Sequence, residues 1–162
     1  MSNVSIKNGL SVALRPYDHG RDDGFVIRSW VMNFARSRMA EPWPDDEFNL
    51  WRKDYLYPTL ASSRTIIAHH PEEPRSLLGW ICADAAGGRI RVHGLYVKQA
   101  FRRLGIAHAL LTLVTGNHSA DPLPFVCWSR KLETDGRLRR AFTEKYRAFW
   151  NPYAGAALLD EI

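Results

Sequence analysis

The densest chemistry in the chain lies in six consecutive residues, Arg102-Arg103-Leu104-Gly105-Ile106-Ala107, of the form R-x-x-G-x-A. Arginine offers a planar, permanently charged fork of donors that suits phosphate oxygens. Glycine and alanine leave the backbone open to a bulky anion. From Leu104 onward, Leu104, Ala107, Leu111 and Val114 recur at the spacing of one buried helix face. The six residues therefore open onto a helix N-terminus, where four N–H groups lack intrahelical acceptors and the dipole places about half a positive charge. The chemistry expected there is capture of a pyrophosphate. Two other phosphate cradles are absent: there is no G-x-x-x-x-G-K-[ST], and no G-x-G-x-x-G with an acidic residue about twenty positions on.

Several elements must position this loop. The apolar strand end Leu95-Tyr96-Val97 runs into it, and Gly116-Asn117 supplies a stop for the helix that follows. Arg89 to Val97 reads as a strand with Ile90, Val92, Gly94 and Tyr96 on one face and Arg91, His93, Leu95 and Val97 on the other. Gly94 inside it predicts a bulge or a close backbone approach. Upstream, Leu77 to Ala83 is a nearly continuous apolar run, as expected of a strand buried on both faces. Thr65 to His69 is another strand, with a turn at Pro71-Glu72-Glu73-Pro74 and a tight turn at Gly87-Gly88.

The first strand is expected at 10–16. Asp22 and Asp23 then open a helix with Ile27, Trp30, Val31 and Phe34 on its apolar stripe. Pro44 to Glu47 starts a second helix, buried through Phe48, Trp51 and Tyr55, which Pro58 is expected to kink or end. Glu41, Asp45, Asp46 and Glu47 are chiefly helix-start acids, and they also offer negative charge to a cationic amine. Trp43, between two prolines, is a candidate for lining a substrate site. Beyond the loop helix, Pro124 to Trp128 is a short strand, and 134–149 is a basic helix buried through Leu138, Phe142, Tyr146 and Phe149. A last short strand is expected within Ala156 to Leu159.

At 162 residues the chain suits one domain, spanning 1–162, with a sizeable core. No window approaches the roughly 18 apolar residues of a membrane span, and the N-terminus lacks a signal-peptide layout, so a cytoplasmic protein without membrane contact is expected. Cys82 and Cys127 read as reduced core residues. The net charge of +5 is uneven: residues 130–147 hold seven Lys/Arg against three acids. Such a patch suits nucleic acid or an acidic partner, although a solvated helix face is the favoured reading. His69, His70, Cys82 and His93 show no recognised metal spacing, so no metal is expected.

Taken together, the strand, the R-x-x-G-x-A loop and the amphipathic helix resemble the signature of the GNAT superfamily of acyl-CoA-dependent N-acyltransferases, [QR]-x-x-G-x-[GA]. Arg102, Gly105 and Ala107 fill it, and Val97 stands at the usual apolar position before the glycine. The element order is also similar, and the resemblance covers most of the chain. It implies an α/β (α+β) fold with a mixed, mostly antiparallel central sheet of about six strands flanked by about four helices. The W-N-P-Y tail and the short C-terminal end are similar to small phage-borne members.

The resemblance further implies acetyl-CoA as co-substrate and direct transfer of acetyl to an amine on a small molecule or protein. Leu95, Tyr96 and Val97 would meet the pantetheine and thioester. The N–H groups of Arg102, Arg103, Leu104, Gly105, Ile106 and Ala107 would hold the pyrophosphate. An N–H near Val97 would stabilise the oxyanion. The amine must lose a proton and the departing thiolate must gain one. Many members place a glutamate base on the signature strand; here His93 and, on the preceding strand, Asp84 are the candidates. Many members also carry an acid tyrosine in N-x-x-A-x-x-x-Y; here Leu138 and Lys145 replace the asparagine and the tyrosine. Tyr146, one residue late, and Tyr153 are therefore the candidate acids, with Tyr153 preferred. The alternatives are a nucleic-acid-modifying or nucleic-acid-associated protein on the same fold, and a non-catalytic CoA-binding interaction protein. A dimer is compatible with either.

Overall fold

The apolar strands assemble, in the computed structural model, into one seven-stranded sheet whose spatial order follows the sequence. The structure describes residues 2–35, 44–86, 89–116, 124–125 and 149–150, with positions 136, 140, 143, 144 and 147. The strands are β1 (Ser2–Ser5), β2 (Ser11–Pro16), β3 (Arg64–His69), β4 (Leu77–Ala86), β5 (Arg89–Val97), β6 (Pro124–Phe125) and β7 (Phe149–Trp150). The first five pair antiparallel. The last two join in parallel, with Val92 opposite Phe125 and Phe125 opposite Trp150. The mixed, mostly antiparallel sheet expected from the sequence is present, with β1 as an added edge strand.

Alternate side chains along the strands build two cores, one on each face of the sheet. Val12, Leu14, Ile66, Ala68, Leu78, Ile81, Ala83, Val92 and Val97 pack under α4 (Ile106–Thr115). Ile67, Trp80 and Cys82 face the other way, against Val26 and Trp30 of α1 (Asp23–Ala35) and against Leu56 and Leu60. β4 is thus buried on both faces, as its unbroken apolar run implies.

Three local expectations are corrected. In α4 the buried positions are Ile106, Ala109, Leu110 and Leu111, because the helix begins only at Ile106 and Leu104 remains in the loop. Pro58 does not end the second helix. α2 (Asp45–Trp51) continues through a π turn, Arg52–Leu56, into α3 (Tyr57–Ser62), with Pro58 in the first turn of α3. The N–H of Tyr57 reaches back to the carbonyl of Arg52. This wider winding makes room where a proline ring would otherwise strike the preceding turn. Phe149 lies in β7 rather than on a helix face, after Arg147 turns the backbone left-handed at φ +47°.

Candidate functional site

The phosphate-type loop forms where β5 ends. A short helical turn, Gln99–Phe101, leads into it, and the chain then turns left-handed twice, at Arg103 (φ +69°) and at Gly105 (φ +100°). Gly105 is the N-cap of α4, and its carbonyl accepts the N–H of Ala109 at 2.9 Å. A Cβ at Gly105 would meet Ile6 at an ordinary 3.7 Å, so the backbone conformation rather than lack of space requires glycine. Left-handed residues interleaved with ordinary ones turn successive N–H groups toward a common point, a concavity that suits anions. The N–H of Lys7 donates to the carbonyl of Leu104 at 3.0 Å, bracing the loop from the turn after β1.

The residues assigned to the co-substrate divide by what they can offer. Arg102 and Arg103 are exposed. Arg102 also donates through Nε to the carbonyl of Val97 at 2.9 Å, which fixes its guanidinium beside the strand end. The side chains of Leu95, Val97, Ile106 and Ala107 belong to the core under α4 and have only backbone to offer a ligand. Tyr96 packs its ring edge-on against Phe25, 5.9 Å away, on the opposite face. The residue types and backbone fit a pyrophosphate: left-handed turns at Arg103 and Gly105, two exposed arginines and a helix N-terminus follow one another within six residues.

Nine residues upstream of the loop's first arginine, a bulge changes β5. Cys82 pairs with Gly94 and Ala83 with Val92, leaving His93 as the extra residue. Trp80 leans onto Gly94, so both sequence-derived readings of that glycine hold. The bulge overturns the expected alternation. Ile90, Val92, Leu95 and Val97 share the core under α4, while Tyr96 packs on the α1 side. Tyr55, whose hydroxyl meets His93, belongs to that α1 side as well.

The structure brings His93 and Asp84 together. His93 is fully buried, with Nε2 3.0 Å from Asp84 Oδ2. The approach lies off the ring N–H axis, so it is chiefly electrostatic. Arg91 clamps the same carboxylate with both ends of its fork, Nε to Oδ1 at 2.8 Å and a terminal nitrogen to Oδ2 at 2.7 Å. On the far side of the ring, Tyr55 Oη lies 2.7 Å from His93 Nδ1. With the imidazole proton on Nε2 toward the carboxylate, Nδ1 accepts from the Tyr55 hydroxyl.

Burial pushes the His93 pKa below 6.5 against the pull of Asp84, and Arg91 adds to the lowering, so His93 is neutral near pH 7. Burial alone would raise Asp84, but the Arg91 hydrogen bonds, the close approach of His93 and the Arg91 charge prevail and hold its carboxyl below the usual range. The Asp84 partnership raises Arg91 in turn. The arrangement is therefore a neutral base on an ionised, clamped carboxylate, with a phenol at its open nitrogen. Tyr55 was legible in the sequence only as a member of an apolar stripe. Its π turn has no sequence signal beyond the proline that follows.

A profile described as the acetyltransferase (GNAT) family matches residues 17–119. The chain belongs to that family. The match runs from just after β2 through α4, and so contains both the loop and the His93 cluster. No curated protein matches the chain. Among solved structures it resembles the ribosomal-protein-alanine N-acetyltransferase of Brucella melitensis biovar Abortus 2308, at 17% identity over 82% of this chain and 88% of that one, with a TM-score of 0.54. The likeness is one of fold. A GNAT acetyltransferase from Staphylococcus aureus Mu50 aligns at 13% identity and a TM-score of 0.41, over 64% of this chain, which spans 62% of that protein's length. The PaiA N-acetyltransferase of Thermoplasma acidophilum, in complex with coenzyme A, aligns at 16% identity and a TM-score of 0.42, over 65% of this chain and 70% of that one.

The remaining sequence candidates fall elsewhere. Tyr146, Tyr153, Trp43, Cys127 and most of the 130–147 basic patch lie outside the described residues. Asp45, Asp46 and Glu47 form the exposed first turn of α2. Among the described residues no His, Cys, Asp and Glu side chains group to hold a metal ion, and no helix is long and apolar enough to cross a membrane.

Proposed function

We propose that this GNAT chain is an acetyl-CoA-dependent N-acetyltransferase that passes acetyl directly to an amine, with residues 1–162 acting as one domain. The observation that carries the reading is the left-handed pair Arg103 and Gly105 at the N-terminus of α4, directly after β5. In this reading the N–H groups of 102–107 and the two arginines hold the pyrophosphate. The backbone of Leu95, Tyr96 and Val97 guides the pantetheine, and an N–H near Val97 meets the oxyanion. His93 is the proton sink and Asp84, clamped by Arg91, orients it and stabilises its charged form. Tyr153, or failing it Tyr146, returns a proton to the departing thiolate.

Acetyl-CoA at about 100 times its dissociation constant stabilises the fold by roughly 2.7 kcal/mol. At about 2–4 °C per kcal/mol for a chain of this size, the expected rise in Tm is roughly 5–11 °C. Gly105→Glu places a carboxylate at the phosphate site and should abolish the rise, while its own ligand-free melt reports the backbone strain. A wild type whose Tm is unmoved by both acetyl-CoA and CoA refutes the proposal. A folded Gly105→Glu protein that keeps the full rise moves the site elsewhere.

A further inference from the structure

The base assigned to this reaction is sealed from its substrate. His93 is fully buried, and the two ring nitrogens have different neighbours: Nε2 faces Asp84 from β4, and Nδ1 faces Tyr55 from the π turn between α2 and α3. Asp84 is in turn engaged on both oxygens by Arg91 of β5. Neither His93 nor Asp84 is placed to take a proton from an incoming amine directly. Tyr55 is half-buried, and its hydroxyl meets the imidazole on the side away from Asp84. It is held there by the π turn, a winding often found at functional positions. Its ring lies 6.0 Å from that of His93 and 6.1 Å from that of Trp51, which stacks on Phe34 at 3.8 Å. The phenol thus stands on a fixed aromatic stack. Along β5, His93 is only two residues from Leu95, about 7 Å of strand, and Leu95 begins the segment assigned to the pantetheine.

Resting on the acetyl-transfer reading, we propose that Tyr55 is the catalytic residue that receives the proton of the acceptor amine while handing its own hydroxyl proton to His93 Nδ1. An ammonium R–NH3+ gives one proton to Tyr55 Oη as the Tyr55 proton moves to Nδ1. The products are R–NH2, neutral Tyr55 and a His93 imidazolium facing the Asp84 carboxylate. The amine lone pair then forms the C–N bond at the thioester carbonyl, and the C–S bond breaks with its electron pair on sulfur. Tyr153, or failing it Tyr146, protonates that thiolate and takes the second nitrogen proton in its place, giving the amide and CoA–SH. His93 returns its extra proton to solvent through Tyr55. Charge and atoms balance without any other reactant.

The test compares two kinds of acceptor. Spermidine, kanamycin and a short alanine-initiated peptide carry basic amines that are protonated at pH 7, whereas hydroxylamine is already neutral there and needs no proton removed before attack. Wild-type protein is assayed with acetyl-CoA and each acceptor by release of CoA thiol. Tyr55→Phe is expected to lose transfer to the basic amines by about 10²–10⁴-fold, keep most of its rate with hydroxylamine, and keep the thermal shift with acetyl-CoA. His93→Gln should show the same split, which guards against a Tyr55→Phe protein that fails to fold. A Tyr55→Phe protein that retains basic-amine turnover overturns the relay. So does one that loses both acceptors equally with the thermal shift intact, because a merely positioning tyrosine would behave that way. Wild-type protein that acetylates neither class refutes acetyl transfer itself, and the relay falls with it; the variants judge the relay only where the wild type is active.

Discussion

Gly94→Ala tests the packing that sets the bulge. A Cβ at Gly94 would stand 2.7 Å from Trp80 Cη2, 2.9 Å from Trp80 Cζ3 and 3.2 Å from Trp30 Cε2. Carbon atoms pack best at about 3.5–4.0 Å, so the Trp80 ring must retreat by roughly 1 Å. It has little freedom to do so. Trp80 and Trp30 are each 1% exposed with ring centroids 4.9 Å apart, and Trp80 Nε1 donates to Ser29 Oγ at 2.7 Å. Replacing a strand glycine by alanine would otherwise gain about 0.5–1 kcal/mol from the backbone. Overpacking costs about 1–3 kcal/mol, and loss of the indole hydrogen bond adds about 0.5–1.5. The clash therefore prevails, with a net destabilisation of roughly 0.5–4 kcal/mol and a fall in Tm of about 1–16 °C. Thermal melts followed by circular dichroism, with tryptophan fluorescence as a second probe, measure it. In a Trp80→Leu background the same substitution should cost much less. A Gly94→Ala protein that melts at or above the wild-type temperature would falsify the close-approach argument.

Two further predictions concern buried charge. Because burial lowers the His93 pKa below its ordinary 6.5, the unfolded chain binds the extra proton more readily than the folded one. Stability from this residue is complete above pH 6.5 and is lost as pH falls through the folded-state value. Chemical denaturation at stepped pH should show that slope in the wild type and a flatter one in His93→Gln; identical slopes would remove His93 as its source. The lowered Asp84 acts in a separate, more acidic window, losing its contribution as pH falls through its own folded value below 3.8. Asp22 is buried at the start of α1 with Arg15, whose two terminal nitrogens lie 2.6 and 2.8 Å from its carboxylate oxygens. Asp22→Ala strands a guanidinium that is 5% exposed and should cost about 3–5 kcal/mol. A loss under about 1 kcal/mol, the ceiling usual for exposed pairs, would show that water or another acid reaches Arg15.

The parts of the molecule that were legible in the sequence are those fixed by local chemistry. The R-x-x-G-x-A loop announces an anion site because glycine, small side chains and arginines act through their own backbone and charge. The apolar run of β4 announces burial on both faces for the same reason. Asp84 and His93 were found as titratable groups on neighbouring strands, but Arg91 as the clamp on Asp84 was not. That contact depends on the cross-strand pairing of Asp84 with Arg91, and register is not written in either strand alone. Tyr55 was hidden for a different reason. Periodicity puts it on the stripe of Trp51, and the π turn alters the angular position of every residue after Trp51.

The bulge at His93 shows how a strand can take up one extra residue and still divide between two tasks. With strict alternation, Arg91, His93, Leu95 and Val97 would all point the same way, and the polar cluster would share a face with the core under α4. A one-residue shift in register turns every following side chain over. Here the extra residue comes after Arg91 and Val92 and before Leu95. Arg91 and His93 stay with Asp84 and Tyr55, while Leu95 and Val97 turn into the apolar core that supports the loop and α4. Gly94 is required at the junction because Trp80 occupies the space a side chain would take. Proton handling on one face of the strand and anion holding at its end thus stay separate across the inserted residue. Deleting Gly94 would leave Arg91, His93 and Tyr96 on one face and Val92, Leu95 and Val97 on the other by plain alternation, so the bulge accommodates one extra residue without exchanging the two faces.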